Sequence, residues 1–405
     1  MMNIVIAQSG GPTCAINATL AGVYLEACKH PEIEQIYGSR NGIEGILHDR
    51  LVDLRSLLPD AEQVDLLCRT PSTVLGSCRV KLPLAEENTA PYETIHNSLK
   101  AHSIDAFFYI GGNDSMDTVA KLSAYLASVN SPIRVIGIPK TIDNDLMYTD
   151  HTPGFGSAVK YVTTTLAEIA QDSAVYNLPS VTIVEIMGRD AGWLTASTCL
   201  LHHNGLEAPH LIYLPEIPFS TERFLIDVRR MQSVHKSVIV AVSEGVRLSE
   251  GGYAADDFQS GENDAFGHKY LAGVGKYLEN MTRKHLGCKV RSIELNVMQR
   301  CAAHLASEAD IAESLQVGAG ALCTMLEGKS GCMMTLQRTG DTPYRIEIST
   351  VEAQRVANRI RLFPQEWITP DGNGVCQEAI PYFLPLIQGE RYPITRNGMP
   401  VHFIL

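Results

Sequence analysis

Short apolar runs punctuate the chain, and most end in glycine or proline before a helical pattern begins. "NIVIAQ" (3–8) leads into "SGGPTCAINATLAGVYLEAC" (9–28), a glycine turn and then a helix. "DAFFYI" (105–110) ends at Gly111 and precedes the helical stretch "SMDTVAKLSAYLAS" (115–128). "RVIGI" (134–138) ends at Pro139. This strand–loop–helix repetition predicts a parallel sheet with helices on both faces. The rhythm breaks at "LMYTDHTPGFG" (146–156) and then resumes. "SAVKYVTTTLAEIAQDSAVY" (157–176), "GHKYLAGVGKYLENMTRKH" (267–285) and "AAHLASEADIAESL" (302–315) read as helices. "SVTIVEI" (180–186), "HLIYL" (210–214), "SVIVAVSEG" (237–245) and "KVRSIEL" (289–295) read as strands. The polar, glycine-rich stretch 249–267 reads as a surface loop. The tail 364–394 has prolines and turns but enough aromatics to pack. The fold class is therefore α/β, with two doubly wound units of similar size. In such sheets ligands sit at the loops leaving the carboxyl ends of the strands.

The totals narrow the function classes. The chain of 405 residues is 45% hydrophobic and 19% charged, a globular composition. It has no apolar run of membrane-spanning length, and its N-terminus reads as a first strand and not a signal peptide. Its ten cysteines form no C-x-x-C pair, which predicts reduced thiols in a cytoplasm. The thirteen histidines form no H-E-x-x-H. A formal net charge of −12 argues against nucleic acid and anionic membranes as partners. It also makes a basic residue beside a glycine loop informative, because an acidic chain that binds anions must gather its cations locally.

Four loops at strand ends carry candidate chemistry. In "QSGGPTCAIN", Gly10 and Gly11 permit close backbone approach ahead of a helix N-terminus. In "GGNDSMDT", Gly112, Asn113, Asp114 and Ser115 follow a strand, and Asp and Ser are also ordinary helix caps. "IPKTIDNDL" packs Lys140, Thr141, Ile142, Asp143 and Asp145 together. Its lysine can neutralise a phosphate and its carboxylate can take a hydroxyl proton. "MGRDAGWLTA" brings Met187, Gly188 and Arg189 to a helix start, where the planar arginine fork suits an anion. Arg79, Arg291 and Arg300 are further anion candidates. "GFGSAV" (154–159) fits a dinucleotide fingerprint, but the stretch before it is polar and ends in proline, where the fingerprint requires a strand. A Walker A motif and the protein-kinase loops are absent.

Taken in order, "SGGPTCAIN", "GSCR", "GGNDS", "PKTIDND", "MGRDAGWLTA", "SEG" and "QRCAAH" resemble the phosphofructokinase family. The motifs span residue 9 to about 304, and the tail is similar to the family's C-terminal cap. The resemblance implies Mg²⁺-dependent phosphoryl transfer to the 1-hydroxyl of fructose 6-phosphate, in a cleft between two domains. The donor domain would comprise 1–150 and about 300–350, and the sugar-phosphate domain 151–299 and about 351–405. Asp143 would be the general base, flanked by Thr141, Ile142 and Asp145. Gly11, Gly112, Ser115 and Arg79 would hold donor phosphate, with Asn113 and Asp114 at the magnesium. Met187, Gly188, Arg189 and Glu244 would meet the sugar, and Arg291 and Arg300 its phosphate, one of them from a neighbouring subunit of a homodimer or homotetramer.

The pair Asp114 and Lys140 resembles the pyrophosphate-using branch, where ATP users show glycine at the first position. A carboxylate there excludes an α-phosphate by volume and by charge. Two like unit charges about 4 Å apart repel by roughly 4 kcal/mol at an effective dielectric of 20. Three departures from the family pattern fall at Asn113, Ser180 and Val297. They stand where an aspartate, a phosphate-binding arginine and a histidine or tyrosine are usual. The last two bear on the acceptor, and leave another sugar phosphate such as sedoheptulose 7-phosphate open beside fructose 6-phosphate. An ATP-dependent enzyme and a non-catalytic relative are the remaining alternatives.

Overall fold

The computed structural model describes residues 1–249, 251–255 and 273–405. Five strands of the first sheet come from the N-terminal part. They are β1 (Met2–Gln8), β2 (Ile33–Ser39), β3 (Leu51–Asp53), β4 (Ile104–Gly111) and β5 (Arg134–Pro139). A hairpin, Cys332–Asp341 and Tyr344–Glu352, returns from far along the chain to complete it. The sheet order is Tyr344–Glu352, Cys332–Asp341, β5, β4, β1, β2, β3. Its centre is parallel, and only the hairpin and the β2–β3 edge are antiparallel. The central strands are buried on both faces, which is why they read as unbroken apolar runs. Ile4 and Ile6 of β1 pack with the helices Ile16–Ala27 and Glu308–Leu326, whereas Val5 and Ala7 pack on the opposite side with Ala90–Ala101 and Asn113–Ser128.

The helices Ile16–Ala27 and Glu308–Leu326 cross through glycine. A Cβ on Gly22 would lie 2.2 Å from the Leu315 carbonyl, and one on Gly318 equally close to that of Thr19. Alanine at either position would push the helices apart.

The strands of the second sheet are β6 (Ser180–Ile186), β7 (Leu211–Tyr213), β8 (Ser237–Ser243) and β9 (Lys289–Glu294). Their order is β7, β8, β6, β9, and all pairs are parallel. The chain then wraps back, and Phe363, Ile368, Tyr382, Phe383 and Leu386 complete the core on one face of this sheet. Trp193 anchors that core, with its ring 5.1 Å from those of both Phe363 and Tyr382.

One expectation changes, and two fall partly outside the described residues. The stretch 302–315 is not one helix: a single 3-10 turn spans Ala303–Leu305, Ala306–Ser307 pairs antiparallel with Glu390–Arg391, and the helix runs Glu308–Leu326. Ser307 holds the boundary, because its hydroxyl donates to the Leu386 carbonyl at 2.7 Å and its backbone is extended. The helix expected over 267–285 is seen as Val274–Leu286, and its first residues lie outside the described ones. Most of the surface loop expected at 249–267 also lies outside them. The hairpin 332–352 was not anticipated, because its second strand alternates between half-buried and exposed positions and carries no apolar run.

The glycine stretch at 154–159 starts the helix Phe155–Ala174 and not a nucleotide loop. Its free N–H groups meet a carboxylate of the chain itself: Gly154 N and Ser157 N donate to Asp310 at 2.8 and 3.0 Å. Among the described residues no helix is long and apolar enough to cross a membrane.

Candidate active site

The loops at the carboxyl ends of β1, β4, β5, β6 and β8 converge on one cleft of about 650 Å³ between the two sheets. Of the residues singled out from sequence, Gly11, Arg79, Gly112, Asn113, Asp114, Ser115, Lys140, Thr141, Ile142, Asp143, Asp145, Met187, Arg189, Glu244, Val297 and Arg300 line it. Gly188 sits just behind, donating its N–H to Glu244 at 3.4 Å. Its φ of 139° and the Ala191 carbonyl, 2.7 Å from where a Cβ would stand, reserve the position for glycine. Arg291 and Ser180 are elsewhere: Arg291 is exposed on β9, 3.7 Å from Asp172, and Ser180 opens β6, at the end away from the cleft.

The donor wall comes from the first sheet. Lys140 Nζ reaches across β4 and donates to the Gly11 carbonyl at 2.6 Å. A methyl at Gly10 would lie 3.2 Å from that ammonium, and one at Gly11 3.3 Å from Arg300 Nη1, so side chains here would occupy the space between loop and cations. Burial lowers the Lys140 pKa to about 8; Asp143 pulls against this, and Arg300 and Arg79 add to it. Burial and then Arg79 likewise depress Arg300. Three cations thus crowd one point of an acidic chain, an arrangement that a compact polyanion relieves.

The helix after β4 starts at Asn113, with Gly112 as its cap, and Gly112 has no side chain to bond. Asp114 and Ser115 therefore lie inside the first turn and are not the caps that their residue types suggested. The positive end of the helix favours the Asp114 carboxylate there, and Lys81 Nζ stands 3.9 Å from it. Lys81 was missed in the sequence. It lies two positions after Arg79, beside a glycine loop, where a cation in an acidic chain is informative. Asn113 spends both ends of its amide on backbone: Oδ1 accepts from Asn358 N and Nδ2 donates to Arg359 O, each at 2.5 Å.

The floor is the segment after β5. Asp143 N donates to Thr141 Oγ1 at 3.1 Å, and Asn144, with φ of 55°, turns the chain so that both flanking aspartates face the cleft. Burial raises the Asp143 pKa, with Arg189 and Lys140 opposing. Burial and then Asp143 raise Asp145 to about 7, and burial and then Asp143 raise Glu244 to about 8. Behind the floor, His151 bridges Asp150 and Glu313 at 2.8 and 2.6 Å. Burial works against its charge, but the two carboxylates prevail and hold it protonated, with a pKa of about 9. Asn144 donates to Tyr382 at 2.8 Å, which ties the floor to the C-terminal wrap.

The acceptor wall comes from the second sheet and holds two buried donors with no protein partner, Arg189 Nε and Gln299 Nε2. Gln299 is 1% exposed, and its Oε1 accepts from Met187 N at 3.2 Å. In the sequence it is the unremarkable neighbour of Arg300 in "QRCAAH". A buried amide donor left unpaired at a cleft is costly unless a ligand meets it.

A pair of largely parallel sheets, with glycine loops and cations facing a buried aspartate across a cleft, defines an anion-binding α/β protein of the phosphotransferase type. The chain belongs to the phosphofructokinase family, whose profile, described as Phosphofructokinase, matches residues 3–323. It is 39% identical over 404 residues to the pyrophosphate–fructose 6-phosphate 1-phosphotransferase of Halomonas elongata, covering 98% of this chain and 94% of that one. It is 40% identical over 407 residues to the enzyme of the same name from Xanthomonas campestris, covering 100% and 96%. The crystal structure of a pyrophosphate-dependent phosphofructokinase from Marinobacter aquaeolei superimposes with a TM-score of 0.86 at 37% identity, over 99% of this chain and 95% of that one.

Proposed function

We propose that this protein transfers a phosphoryl group reversibly from pyrophosphate to the 1-hydroxyl of fructose 6-phosphate, yielding fructose 1,6-bisphosphate and phosphate. The observation that carries the donor assignment is Asp114, a carboxylate held by a helix N-terminus in the wall that also carries Arg79, Lys140 and Arg300. It leaves the cations reachable by a compact anion and opposes a third phosphate beyond them.

The chemistry follows from the residues. Asp143 takes the proton of the sugar hydroxyl as its oxygen attacks phosphorus, and returns it in the reverse direction. Its raised pKa suits a base that must also act as an acid. Lys140 and Arg79 balance charge on the transferring and leaving phosphates without reorganising, and Arg300, expected at the sugar's phosphate, reaches the same point from the segment after β9, its Nη1 3.3 Å from where a Cβ on Gly11 would stand. Glu244, Arg189 and Gln299 hold the sugar. Magnesium, when bound, supplies further charge neutralisation on pyrophosphate. The Asp114 and Asp145 carboxylates are hard oxygen ligands that fit it. Among the described residues no cluster of three or more His, Cys, Asp or Glu side chains is placed to hold a metal.

We assign the donor half to 1–150 with about 300–350, on the sheet membership of the hairpin, and the remainder to the sugar half. Sharing of sites between subunits is supported by the place of Arg291, which serves this reaction only if a second copy presents it. A second acceptor reading rests on Val297 in the cleft, and on Ser180 only if, like Arg291, it is presented by a second copy. Neither offers a charge to a sugar phosphate, and a longer acceptor such as sedoheptulose 7-phosphate then competes with fructose 6-phosphate.

The test is initial rate with magnesium and fructose 6-phosphate, comparing pyrophosphate with ATP, then repeated with sedoheptulose 7-phosphate. Turnover with pyrophosphate alone is expected. Turnover with ATP alone would overturn the donor assignment and leave Asp143 standing.

A further inference from the structure

Asn113 departs from its family pattern, and both ends of its amide bond to backbone. Its partners are the consecutive backbone groups Asn358 N–H and Arg359 C=O, 245 and 246 residues away. One helical turn on, Asp117 Oδ1 accepts from Asn358 Nδ2 at 3.0 Å. Asn358 has a φ of 59°, so the chain reverses at this contact. From there it runs past the cleft, with Asn358 and Ile360 on the same lining as Asp114 and Lys81. It then joins the far half. Arg361 N donates to the Asp145 carbonyl at 2.8 Å, the Arg361 guanidinium lies 4.2 Å over Trp193, and Phe363 N donates to Glu216 at 2.8 Å.

Residues 358–363 therefore form a strap from the donor loop to the acceptor half, beside the pyrophosphate position. The side chain that seats it must accept from an N–H and donate to a C=O at once. An amide does both; an aspartate accepts only, and would set its charge against the Arg359 carbonyl.

We propose that Asn113 is a positioning residue that locks this strap as a fixed wall of the donor subsite, and that the wall is a second element, beside Asp114, limiting the donor to one the size of pyrophosphate. The proposal rests on the donor reading above. It assigns Asn113 to the wall and not to the metal.

The experiment compares kcat and KM for pyrophosphate, ATP and fructose 6-phosphate in the wild type, Asn113→Ala, Asp114→Gly and the double variant. It adds a magnesium titration of Asn113→Asp and amide hydrogen exchange over 357–361. Asn113→Ala is expected to raise the pyrophosphate KM about tenfold, the loss of roughly 1.4 kcal/mol, with the fructose 6-phosphate KM unchanged. Exchange at 357–361 should accelerate. Asp114→Gly should gain some use of ATP, and the double variant about tenfold more in kcat/KM.

Unchanged exchange and pyrophosphate KM in Asn113→Ala would overturn the proposal. So would an Asn113→Asp variant that needs less magnesium at an unaltered pyrophosphate KM, because Asn113 would then act on the metal. A wild type that prefers ATP defeats the donor reading instead, and the exchange data still decide whether the strap is locked. If Asn113→Ala fails to fold, Asn358→Gly keeps the left-handed turn while deleting the Asp117 bond, and should move exchange and pyrophosphate KM in the same direction by a smaller step. No shift in either would equally refute the strap.

Discussion

The two walls of the cleft differ in how much of their chemistry one chain completes. The donor wall gathers Arg79, Lys81, Lys140 and Arg300 around glycine loops, and Lys140 and Asn113 bond backbone across it. The acceptor wall has Arg189 Nε and Gln299 Nε2 buried without protein partners, while Arg291 faces solvent on another side. On the donor wall Lys140 and Lys81 meet a carbonyl and a carboxylate of the chain itself, whereas the acceptor wall leaves two buried donors without a protein partner.

The largest test of this contrast is at Asp143, which sits between the walls. Asp143→Ala should lower kcat by about 10³-fold, within the usual range for losing a general base, with the pyrophosphate KM little changed. Near-normal kcat would remove the proposed base, and a loss confined to KM would make it a wall residue. Next is Lys140→Met, expected to cost about 10²-fold in kcat/KM for pyrophosphate while sparing the KM of the sugar. An equal effect on both substrates would dissolve the division into walls.

The pH dependence sharpens the same point. Lys140 must carry its proton to balance phosphate, and its pKa is lowered to about 8, so kcat/KM for pyrophosphate should fall as pH rises through about 8. Asp143 must be ionised to act, so the rate should also fall on the acid side, below its raised pKa. Lys140→Arg should carry the alkaline limb upward; a limb that stays in place belongs to another group, Glu244 first, which burial holds at about 8. The smallest effect is on the acceptor wall. Gln299→Leu should raise the sugar-phosphate KM about tenfold and leave that of pyrophosphate alone. No change would mean that the Gln299 amide serves only the Met187 backbone.

The strands that aim the loops were legible because both their faces are buried, so β4 and β5 stand in the sequence as apolar runs with glycine or proline at the exit, and β6 does so despite buried Thr182 and Glu185. Lys140 and Asp143 were legible by density, since few segments pack so much charge behind a buried strand. The edge hairpin at 332–352 was not, because an edge strand facing solvent lacks that signature. Gln299 was overshadowed by the arginine beside it. The role of Asn113 was beyond reach, because its partners are backbone groups some 245 residues away and backbone leaves no trace in residue type. Asp114 is not the helix cap that its residue type suggests, and the reason is geometric: the glycine before Asn113 takes the cap position, which moves the carboxylate into the first turn.

The long reach of these supports also sets an order of events during synthesis. Asn144 is held by Tyr382, 238 residues later, and Asp145 by Arg361. On a ribosome adding about 5–20 residues per second, the floor of the cleft leaves the tunnel roughly 10–50 s before the side chain that fixes it. The nascent chain thus carries its glycine loops, Lys140 and Asp143 for most of its synthesis without the scaffold that aims them. Competence arrives late and all at once, with the closing wrap of the C-terminal residues.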